Sequence, residues 1–276
     1  MSNKTYNNRM AIIIPACDAY LDIFAEYVRY FKKNWSDCPF ELILVSETKH
    51  FDDERVTSLI AGNEVNWTGR VLLGVNHCDC PYIMTMMEDQ FISATVNTDD
   101  ILAAIDFMEK HHIQYYRNPK HGHKQTKNNK FEDYEYACKL EKSGTYSRTL
   151  GIDIWERNSL IELFGDGMKS AWDIEKRFLE YSKEGHKGYF DTWVSDKRNF
   201  LHIIETVSGG KWMVDAIKRF EELGDPVHLG TRQMHEMSDY RRRKLHSIMN
   251  RIVPTKLRKP VKKIATKFGF KFATEE

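Results

Sequence analysis

Met10-Ala11-Ile12-Ile13-Ile14-Pro15 is a short apolar run closed by a proline, and Glu41-Leu42-Ile43-Leu44-Val45-Ser46 is a second run of the same kind. Their length and their content of β-branched residues are typical of buried parallel strands. Between them, residues 20–33 carry apolar side chains at helical spacing. A strand, a helix and a second strand in this order predict a βαβ unit, and therefore a sheet whose first strands run parallel.

The rest of the chain continues this alternation up to about residue 225. We expect helices over residues 55–60, 67–76, 157–164, 170–181 and 211–223, with a further helix that begins at Thr98. Strands are expected over residues 64–66, 82–87, 134–140, 146–155 and 203–207, and a loop over residues 118–130. The sequence thus predicts an α/β domain over residues 1–225 with a mostly parallel, Rossmann-type sheet flanked by helices.

Two acidic residues follow one of the predicted strands directly. The apolar run over residues 82–87 leads into Glu88 and Asp89. Open α/β sheets bind ligands at the carboxyl ends of their strands, so these acids lie where a ligand site is expected. A carboxylate at this place can hold a divalent cation whose other ligands are diphosphate oxygens. Two surface carboxylates without a ligand are the alternative, because short motifs have low specificity.

The charge is distributed unevenly along the chain. The formal net charge of the 276 residues is +1, but residues 241–271 contain 12 Lys or Arg and no acid. The first 240 residues contain 29 basic and 38 acidic side chains. We define residues 226–276 as the basic tail. Within it, apolar residues recur at helical spacing over residues 245–252 and 261–268. Basic amphipathic helices of this kind are typical of segments that lie on an anionic membrane surface. Nucleic acid is the less favoured partner, because the tail offers few aromatic residues for stacking.

The cysteines and the N-terminal residues indicate a cytoplasmic protein. No run approaches the ~20 apolar residues of a membrane span, and the first nine residues lack the apolar stretch of a secretory signal. The cysteines are odd in number and scattered, which favours reduced thiols over a disulfide framework and over redox chemistry: Cys17, Cys38, Cys78, Cys80 and Cys138. The Cys-x-Cys spacing and the paired histidines do not match a structural zinc site, so a zinc-based function is not favoured.

Several separated blocks of the sequence resemble bacterial glycosyltransferases of the GT-A fold, the type that builds capsule, lipopolysaccharide or related cell-surface glycans. The blocks span most of residues 10–215 and occur in the family's order. They are Ile12–Pro15, Asn66–Arg70, Tyr82–Asp89, Gly151–Trp155, Ser170–Glu175 and Gly209–Trp212.

The resemblance implies roles for individual residues on the donor side. Pro15 and Ala16 would line the nucleoside pocket, and Glu47 would lie near the base or the ribose. Arg70 would lie near the diphosphate, where a guanidinium can contact phosphate oxygens. Trp155 could stack on a sugar ring or on the nucleoside, although a core position is equally compatible with its sequence environment.

Glu88 and Asp89 stand where the family has its Asp-x-Asp-like metal motif. The resemblance therefore implies donor binding by Glu88 and metal binding by Asp89, with Mn²⁺ or Mg²⁺ as the cofactor. Gln90 departs from the pattern, because this position is often acidic in the family. One metal ligand of the motif is missing here, which leaves Arg70 or the lysines of the loop over residues 118–130 to share the neutralisation of the diphosphate.

Asp173 and Glu175 match the acidic pair that the family uses on the acceptor side. A carboxylate there would take the proton from an acceptor hydroxyl, which gives direct displacement with inversion, and Asp173 is favoured over Glu175 for this role. Both acids could instead complement the helix dipole in the first turn of the predicted helix. Trp172, next to Asp173, could stack on a sugar or lie in the core.

These observations predict a glycosyltransferase that moves a sugar from a nucleotide-diphosphate sugar, with UDP-sugar as the implied donor. The acceptor would be a growing, lipid-linked surface glycan, and the tail would hold the enzyme peripherally on the inner face of the cytoplasmic membrane. Two alternatives stay open at this point. One is a metal-dependent nucleotidyltransferase, and the other is a non-catalytic adaptor that binds membrane or nucleic acid.

Overall fold

The computed structural model describes residues 6–118, 125–140, 150–165, 167–184, 193–238 and 240. Their strands are β1 Met10–Pro15, β2 Glu41–Ser46, β3 Val56–Ile60, β4 Tyr82–Thr85, β5 Gln90–Ile92, β6 Tyr115–Arg117, β7 Ala137–Lys139, β8 Asp153–Glu156, β9 Trp193–Asp196, β10 Ile203–Glu205, β11 Val207–Ser208 and β12 Lys211–Trp212. Their α-helices are α1 Leu21–Asn34, α2 Trp67–His77, α3 Thr98–His111, α4 Arg157–Gly165, α5 Ala171–Glu184 and α6 Val214–Glu222.

The main sheet has eight strands in the order β3-β2-β1-β4-β8-β6-β9-β7. The first four strands of this order are mutually parallel, and β6 and β9 are also parallel. β8 lies antiparallel between β4 and β6, and β7 lies antiparallel to β9. A mostly parallel sheet with helices on its faces confirms the α/β fold class that the sequence predicts.

Helices cover the sheet on both faces. Ile13 and Tyr115 point to one face, where they share a core cluster with apolar side chains of α2, α4 and α5. Their neighbours along the strands point to the other face, because side chains alternate in a strand. There the ring of Phe107 in α3 lies 5.8 Å from that of Tyr116, and the Tyr27 hydroxyl of α1 lies 3.4 Å from the Met86 sulfur. The core is therefore two apolar layers separated by the sheet.

Two predicted elements near the start of the chain are wrong. Residues 56–60 form a strand instead of a helix, in parallel register with β2 from Val56 opposite Leu42 to Ile60 opposite Ser46. Five residues are too few for periodicity to distinguish a strand from a helix, so the pairing with β2 decides. The predicted strand over residues 64–66 is absent. Asn66 instead caps α2, since its side-chain oxygen accepts a 2.9 Å hydrogen bond from the Gly69 amide.

Other predicted elements are shortened or were missed. β7 and β8 cover only parts of the strands expected over residues 134–140 and 146–155, and residues 141–149 lie outside the described residues. The helix expected from residue 211 begins at Val214, because Lys211 and Trp212 pair with β11. β6 and β9 were not predicted, since strands of three or four residues show no clear alternation. Part of the predicted loop over residues 118–130, namely 119–124, is also outside the described residues.

The chain divides into two compact units, Met1–Thr206 and Val207–Glu276. In the second unit, α6 follows the β11–β12 pair, and the Trp212 indole donates a 2.9 Å hydrogen bond to the Leu229 carbonyl. The sequence-based boundary at residue 225 stays a prediction. The predicted tail helices over residues 245–252 and 261–268 lie outside the described residues. Within the part of the chain that is described, no helix is both long and apolar enough to span a membrane.

Candidate active site

Three chain segments leave the sheet at the carboxyl end of its parallel strands. The Ala16 amide donates a 3.0 Å hydrogen bond to the Val45 carbonyl, and the Met86 amide donates one of the same length to the Ile13 carbonyl. The segments that follow β1, β2 and β4 therefore begin side by side at one edge. Ligands of open α/β sheets bind at this edge. Pro15 and Ala16 lie at this edge, and both are buried.

Hydrogen bonds of Asp18 and Glu47 connect the turns after β1 and β2. The Asp18 amide donates a 2.9 Å hydrogen bond to a Glu47 carboxylate oxygen. The Asp18 carboxylate in turn accepts hydrogen bonds from the amides of Glu47 and Thr48. The hydroxyl and the amide of Thr48 lower the pKa of Asp18, because these hydrogen bonds favour the carboxylate. These hydrogen bonds of the two acids thus fix the shape of this edge of the sheet.

Arg70 reaches the same edge from the first turn of α2. Its guanidinium is buried, and Nη1 donates to the Val65 carbonyl at 2.9 Å and to Glu47 at 3.3 Å. In the described parts of the chain, the buried Arg70 Nε makes no hydrogen bond. A buried donor without a partner is rare in folded proteins. Arg70 is therefore held in place by Val65 and Glu47, and its Nε is a buried donor without a hydrogen bond among the described residues.

The Cys17 thiol shows how closely the predicted donor residues lie together. Burial raises its pKa, the charges of Glu88 and Glu47 raise it further, and the charge of Arg70 lowers it. Such electrostatic effects act over short distances, so the structure brings Glu47, Arg70 and Glu88 together around Cys17. Sequence analysis did not single out Cys17 as a site residue, because a lone cysteine after a strand carries no specific signal.

Asp89 lies next to an acid that the sequence analysis missed. Burial raises the pKa of Asp89 to about 6, and the charge of Glu205 contributes to the shift. Glu205 is opposite Gln90 in the β5–β10 ladder. Thr206 then donates two hydrogen bonds to the Asp89 carbonyl, from its amide at 2.8 Å and from its hydroxyl at 2.9 Å. The structure thus supplies a carboxylate from β10 beside the position where Gln90 lacks one.

The chemistry of Asp89 and Glu205 fits a hard divalent cation. Mg²⁺ and Mn²⁺ prefer oxygen ligands, and Mg²⁺ is commonly held by one or two carboxylates together with substrate phosphates. Across the described ranges, no group of three or more His, Cys, Asp or Glu side chains is arranged to hold a metal ion. A cation at Asp89 and Glu205 would accordingly depend on oxygens from a bound ligand.

A polar cavity of about 120 Å³ adjoins one of the two acids, since Glu205 is among its lining residues, together with Gln90. Its other polar walls come from the ends of β6 and β8 and from the segment before β10: Arg117, Asn118, Asp153 and Asn199. Asp153 is 1% exposed and lies opposite Thr85, the last residue of β4. The cavity wall therefore includes a residue paired with the carboxyl end of β4.

Asp153 is the most strongly buried acid of the cavity. Burial raises its pKa to about 6, although the Arg117 charge and a hydrogen bond from the Gly151 amide at 3.0 Å favour the carboxylate. Asp153 lies in one of the sequence blocks that resemble the family, and no role was predicted for it. Its position at the start of a strand antiparallel to β4 could not be predicted, because that pairing joins residues about 70 positions apart.

Asp173 caps the helix in which it lies. Its carboxylate accepts hydrogen bonds from the Ser170 hydroxyl at 2.8 Å and the Lys169 amide at 3.2 Å. The Asp173 amide donates back to the Ser170 hydroxyl oxygen at 3.2 Å. The Ser170 hydroxyl is the main reason that the pKa of Asp173 is lowered. This reciprocal arrangement is similar to a capping box, and it lies in the first turn of α5, where an acid can also complement the helix dipole.

The start of α5 lies beside both the start of α2 and the cavity. The Thr68 hydroxyl of α2 donates a hydrogen bond to the Met168 carbonyl, just before α5. Glu175 accepts a 3.3 Å hydrogen bond from the amide of Leu150, a residue that lines the cavity. Glu175 is therefore tied to the cavity wall, and the acidic pair lies on the same side of the sheet edge as Arg70.

The two tryptophans differ completely in exposure. Trp155 is fully buried, with its ring 4.5 Å from that of Tyr115 and 6.1 Å from that of Phe164. It occupies the core position, so its placement gives no support to a stacking role in donor binding. Trp172 is 73% exposed in the first turn of α5. Of the two, only Trp172 offers an open ring face.

No family model matches this sequence, and a search of curated proteins finds no match. Solved structures give matches to S. aureus TarS 1-349 in complex with UDP-GlcNAc, with 14% identity, 68% of this chain covered and a TM-score of 0.44. The chain spans 56% of the length of that TarS fragment. A cytidylyltransferase from Leptospira borgpetersenii matches with 12% identity, 83% of this chain and 99% of that chain covered, and a TM-score of 0.43.

A third match is 2-C-methyl-D-erythritol 4-phosphate cytidylyltransferase from Thermus thermophilus. It has 8% identity, covers 78% of this chain and 98% of that chain, and gives a TM-score of 0.42. At such identities and TM-scores, these matches assign no activity to the chain. Its function has to be argued from the site itself.

Proposed function

We propose that this chain is a glycosyltransferase that uses a nucleotide-diphosphate sugar, with a UDP-sugar as the donor. One observation carries the proposal: Glu205, whose charge acts on Asp89, also lines the polar cavity. A donor of this class has two parts that need different partners. Its diphosphate needs positive charge, and its sugar needs a pocket with hydrogen-bond donors and acceptors.

The diphosphate would lie between Arg70 and the carboxylate pair. Arg70 is held by Glu47 and has a buried Nε that lacks an acceptor among the described residues. A divalent cation held by Asp89 and Glu205 would supply the Lewis acidity that stabilises the leaving diphosphate. Asp89 binds a cation only as a carboxylate, so its pKa of about 6 limits cation affinity in acid.

The sugar would occupy the cavity beside the diphosphate. Its walls offer a guanidinium from Arg117, amides from Gln90 and Asn199, and the carboxylates of Asp153 and Glu205. Sugar hydroxyls both donate and accept hydrogen bonds, so a mixed wall of this kind suits them better than a purely apolar one. A ligand that lacks a matching hydroxyl would leave a buried polar group of the wall without a hydrogen bond. Such a wall therefore discriminates strongly against that ligand.

Asp173 and Glu175 are the candidates for the base that takes the proton from the acceptor hydroxyl, with inversion of the anomeric centre. Asp173 is ionised at neutral pH, since hydrogen bonds from Ser170 and Lys169 lower its pKa. Glu175 is linked to the cavity wall through Leu150. Trp172 lies exposed next to Asp173, where an aromatic ring can stack on an acceptor sugar.

The acceptor we propose is a growing, lipid-linked surface glycan of the capsule or lipopolysaccharide type. The support is the basic amphipathic sequence of residues 241–272, which would hold the enzyme on the inner face of the cytoplasmic membrane. We expect deletion of residues 241–276 to abolish co-sedimentation with vesicles that contain an anionic lipid. Equal sedimentation of the full and the shortened chain would exclude this role of the tail.

The experiment that tests the function is a thermal-shift titration with UDP, UDP-GlcNAc and CTP, each with and without Mn²⁺. A ligand present at 100 times its dissociation constant stabilises the native state by about 2.7 kcal/mol. We expect UDP to raise the melting temperature of the protein in the presence of Mn²⁺. UDP-GlcNAc with Mn²⁺ should raise the melting temperature more than UDP with Mn²⁺ does. Asp89→Asn and Glu205→Gln should lose the Mn²⁺-dependent part, whereas Asp52→Asn, which changes an exposed acid, should not.

Product analysis separates the alternatives. A glycosyltransferase releases a nucleoside diphosphate from a nucleotide sugar, whereas a nucleotidyltransferase releases pyrophosphate from a nucleoside triphosphate. Release of pyrophosphate would show that the protein is a nucleotidyltransferase and not a glycosyltransferase. Nucleotidyl transfer uses the same carboxylate and cation chemistry. The absence of any nucleotide-induced shift would indicate a non-catalytic adaptor.

A further inference from the structure

Three side-chain carboxamides from separate segments of the chain line the polar cavity. Gln90 begins β5, Asn118 follows β6, and Asn199 lies between β9 and β10. Gln90 and Asn118 are both 8% exposed, so they are buried polar side chains of the cavity wall. The metal motif accounts for Gln90 only as a missing ligand, and it gives no reason for the two asparagines.

The carboxamides of Gln90 and Asn118 have the same orientation toward the backbone. The Gln90 Oε1 atom accepts a 2.9 Å hydrogen bond from the Met87 amide. The Asn118 Oδ1 atom accepts one of 3.1 Å from the Phe200 amide. A backbone N–H can only donate, so the side-chain atom that faces it must be the carbonyl oxygen. In both residues, therefore, the NH₂ group is the part of the carboxamide that can face a ligand in the cavity.

Asn199 repeats this arrangement within a firmly held segment. Its Oδ1 atom accepts a 3.0 Å hydrogen bond from the His202 amide. His202 has a left-handed backbone, with φ 48°, and its carbonyl accepts a 3.0 Å hydrogen bond from the Ser93 amide. Arg198, the neighbour of Asn199, donates to the fully buried Asp196 carboxylate from Nη2 at 2.8 Å and from Nε at 3.0 Å. These contacts hold the segment in one conformation, and strained backbone that is held in this way is common at ligand sites.

The cavity is consequently rich in groups that donate hydrogen bonds. Each NH₂ group carries two N–H bonds, and the Arg117 guanidinium in the same wall can only donate. A sugar hydroxyl accepts hydrogen bonds but also needs an acceptor for its own hydrogen, whereas a carbonyl or carboxylate oxygen only accepts. A wall of donors therefore suits a sugar with a carbonyl or carboxylate oxygen better than a sugar with hydroxyls alone.

The two acids of the cavity decide between a carbonyl and a carboxylate. Asp153 and Glu205 lie in the same wall, and like charges repel strongly where water is largely excluded. A carboxylate on the ligand would meet this repulsion. A secondary amide is uncharged, and its N–H can donate to either acid while its carbonyl oxygen accepts from the carboxamides. The cavity can thus satisfy both polar groups of an amide.

We propose that Gln90, Asn118 and Asn199 are specificity-determining residues that recognise an acylamino group on the transferred sugar. Their NH₂ groups donate to the carbonyl oxygen of this group, and Asp153 or Glu205 accepts its N–H. The inference rests on the proposed glycosyl transfer, and it narrows the donor to a nucleotide sugar with an N-acylated amino group. Gln90 is then a ligand-binding residue, because an acid at this position would offer no N–H to the carbonyl oxygen.

The test on the wild-type protein is calorimetric titration with UDP and UDP-sugars in the presence of Mn²⁺. UDP-GlcNAc and UDP-glucose differ at one position of the sugar, where the first carries an acylamino group and the second a hydroxyl. UDP-GalNAc and UDP-galactose give the same comparison for the other configuration of the sugar. We expect the acylamino sugar of at least one pair to bind about tenfold more tightly, since one matched hydrogen bond changes affinity by about this factor.

The outcomes separate this inference from the proposed function. Equal affinities within both pairs would overturn the acylamino assignment, and so would tighter binding of UDP-glucuronate, which carries a carboxylate. In either case, binding of UDP would leave the proposed function standing. If neither UDP nor any UDP-sugar binds, both proposals are refuted.

Gln90→Glu gives the second measurement. Glutamate keeps an oxygen for the Met87 amide and replaces the NH₂ group by an oxygen that cannot donate. We expect the preference for the acylamino sugar over its hydroxyl counterpart to fall by about tenfold, and Asn118→Asp should act in the same way. Asn97→Asp is the matched control, because Asn97 also accepts a backbone hydrogen bond, from the Asp99 amide at 3.2 Å, but is exposed and lies outside the cavity lining.

The preference is a ratio of two affinities in the same variant, so a change in diphosphate or Mn²⁺ binding cancels from it. A purely structural role of Gln90 would weaken both sugars of a pair equally and leave the ratio unchanged. A wild-type ratio in both cavity variants would therefore overturn the assignment of these carboxamides.

Discussion

Replacement of Asp153 by asparagine should stabilise the protein at neutral pH and not in acid. Asp153 is 1% exposed at the start of β8, where burial raises its pKa from 3.8 to about 6. One unit of pKa shift corresponds to about 1.36 kcal/mol, so the ionised carboxylate costs the native state up to about 3 kcal/mol. Asparagine has nearly the same shape and can accept the 3.0 Å hydrogen bond from the Gly151 amide without a charge.

The sign of the pH dependence follows from the raised pKa. Below the unfolded pKa of about 3.8, Asp153 is protonated in both states and contributes nothing to the difference. As the pH rises from about 4 to about 6, the unfolded chain loses its proton first, so the native state loses relative stability. Above about pH 6 both states are ionised and the deficit stays constant.

Urea unfolding of wild type and Asp153→Asn at pH 5 and pH 8 measures this effect. From the two pKa values, the charge costs about 1.6 kcal/mol at pH 5 and about 3 kcal/mol at pH 8. The advantage of the variant should therefore grow by about 1.4 kcal/mol between the two pH values. Asp89 titrates in both proteins, so its contribution to the pH dependence of stability cancels in the comparison. An exposed-acid control, Asp52→Asn, should show no such change, and an advantage that is equal at both pH values would refute a raised pKa at Asp153.

Three further substitutions test the fold and the site. Gly74→Ala should lower the free energy of unfolding by about 1–3 kcal/mol in urea titrations, because the added Cβ would lie 2.8 Å from Ile13 Cγ2; unchanged stability would mean that α2 packs less closely on β1. Asp173→Asn should keep UDP binding but lose turnover with a sugar donor. Ser170→Ala removes the same cap contact, so it should lower the free energy of unfolding by about 0.5–2 kcal/mol and keep turnover. Equal losses of turnover in both variants would assign Asp173 a structural role alone. Arg70→Lys should weaken UDP binding in calorimetry, since lysine keeps the charge but not the planar set of donors, and full affinity would exclude a phosphate contact.

The sequence was sufficient where structure is set locally. The strands Met10–Pro15 and Glu41–Ser46 and the helix between them are long enough to show their apolar patterns, and the strand before Glu88 lies within a longer apolar run over residues 82–87. Their order predicts a parallel sheet, and the carboxyl edge of that sheet is where ligands bind. That reasoning places Glu88 at this edge, whereas the positions of Glu47 and Arg70 near the donor were implied by the family resemblance alone; in the structure the charges of all three act on the Cys17 thiol.

Only the tertiary structure decided the rest, because pairing between distant segments leaves no signal in either segment alone. Val56–Ile60 became a strand through its partner β2, and three-residue strands such as Tyr115–Arg117 exist only through their neighbours. Glu205 lies beside Asp89 although 115 residues separate them in the sequence, since β10 pairs with β5. The sequence placed an acid at the end of a strand, and the folded chain supplied its carboxylate partner and the cavity next to it.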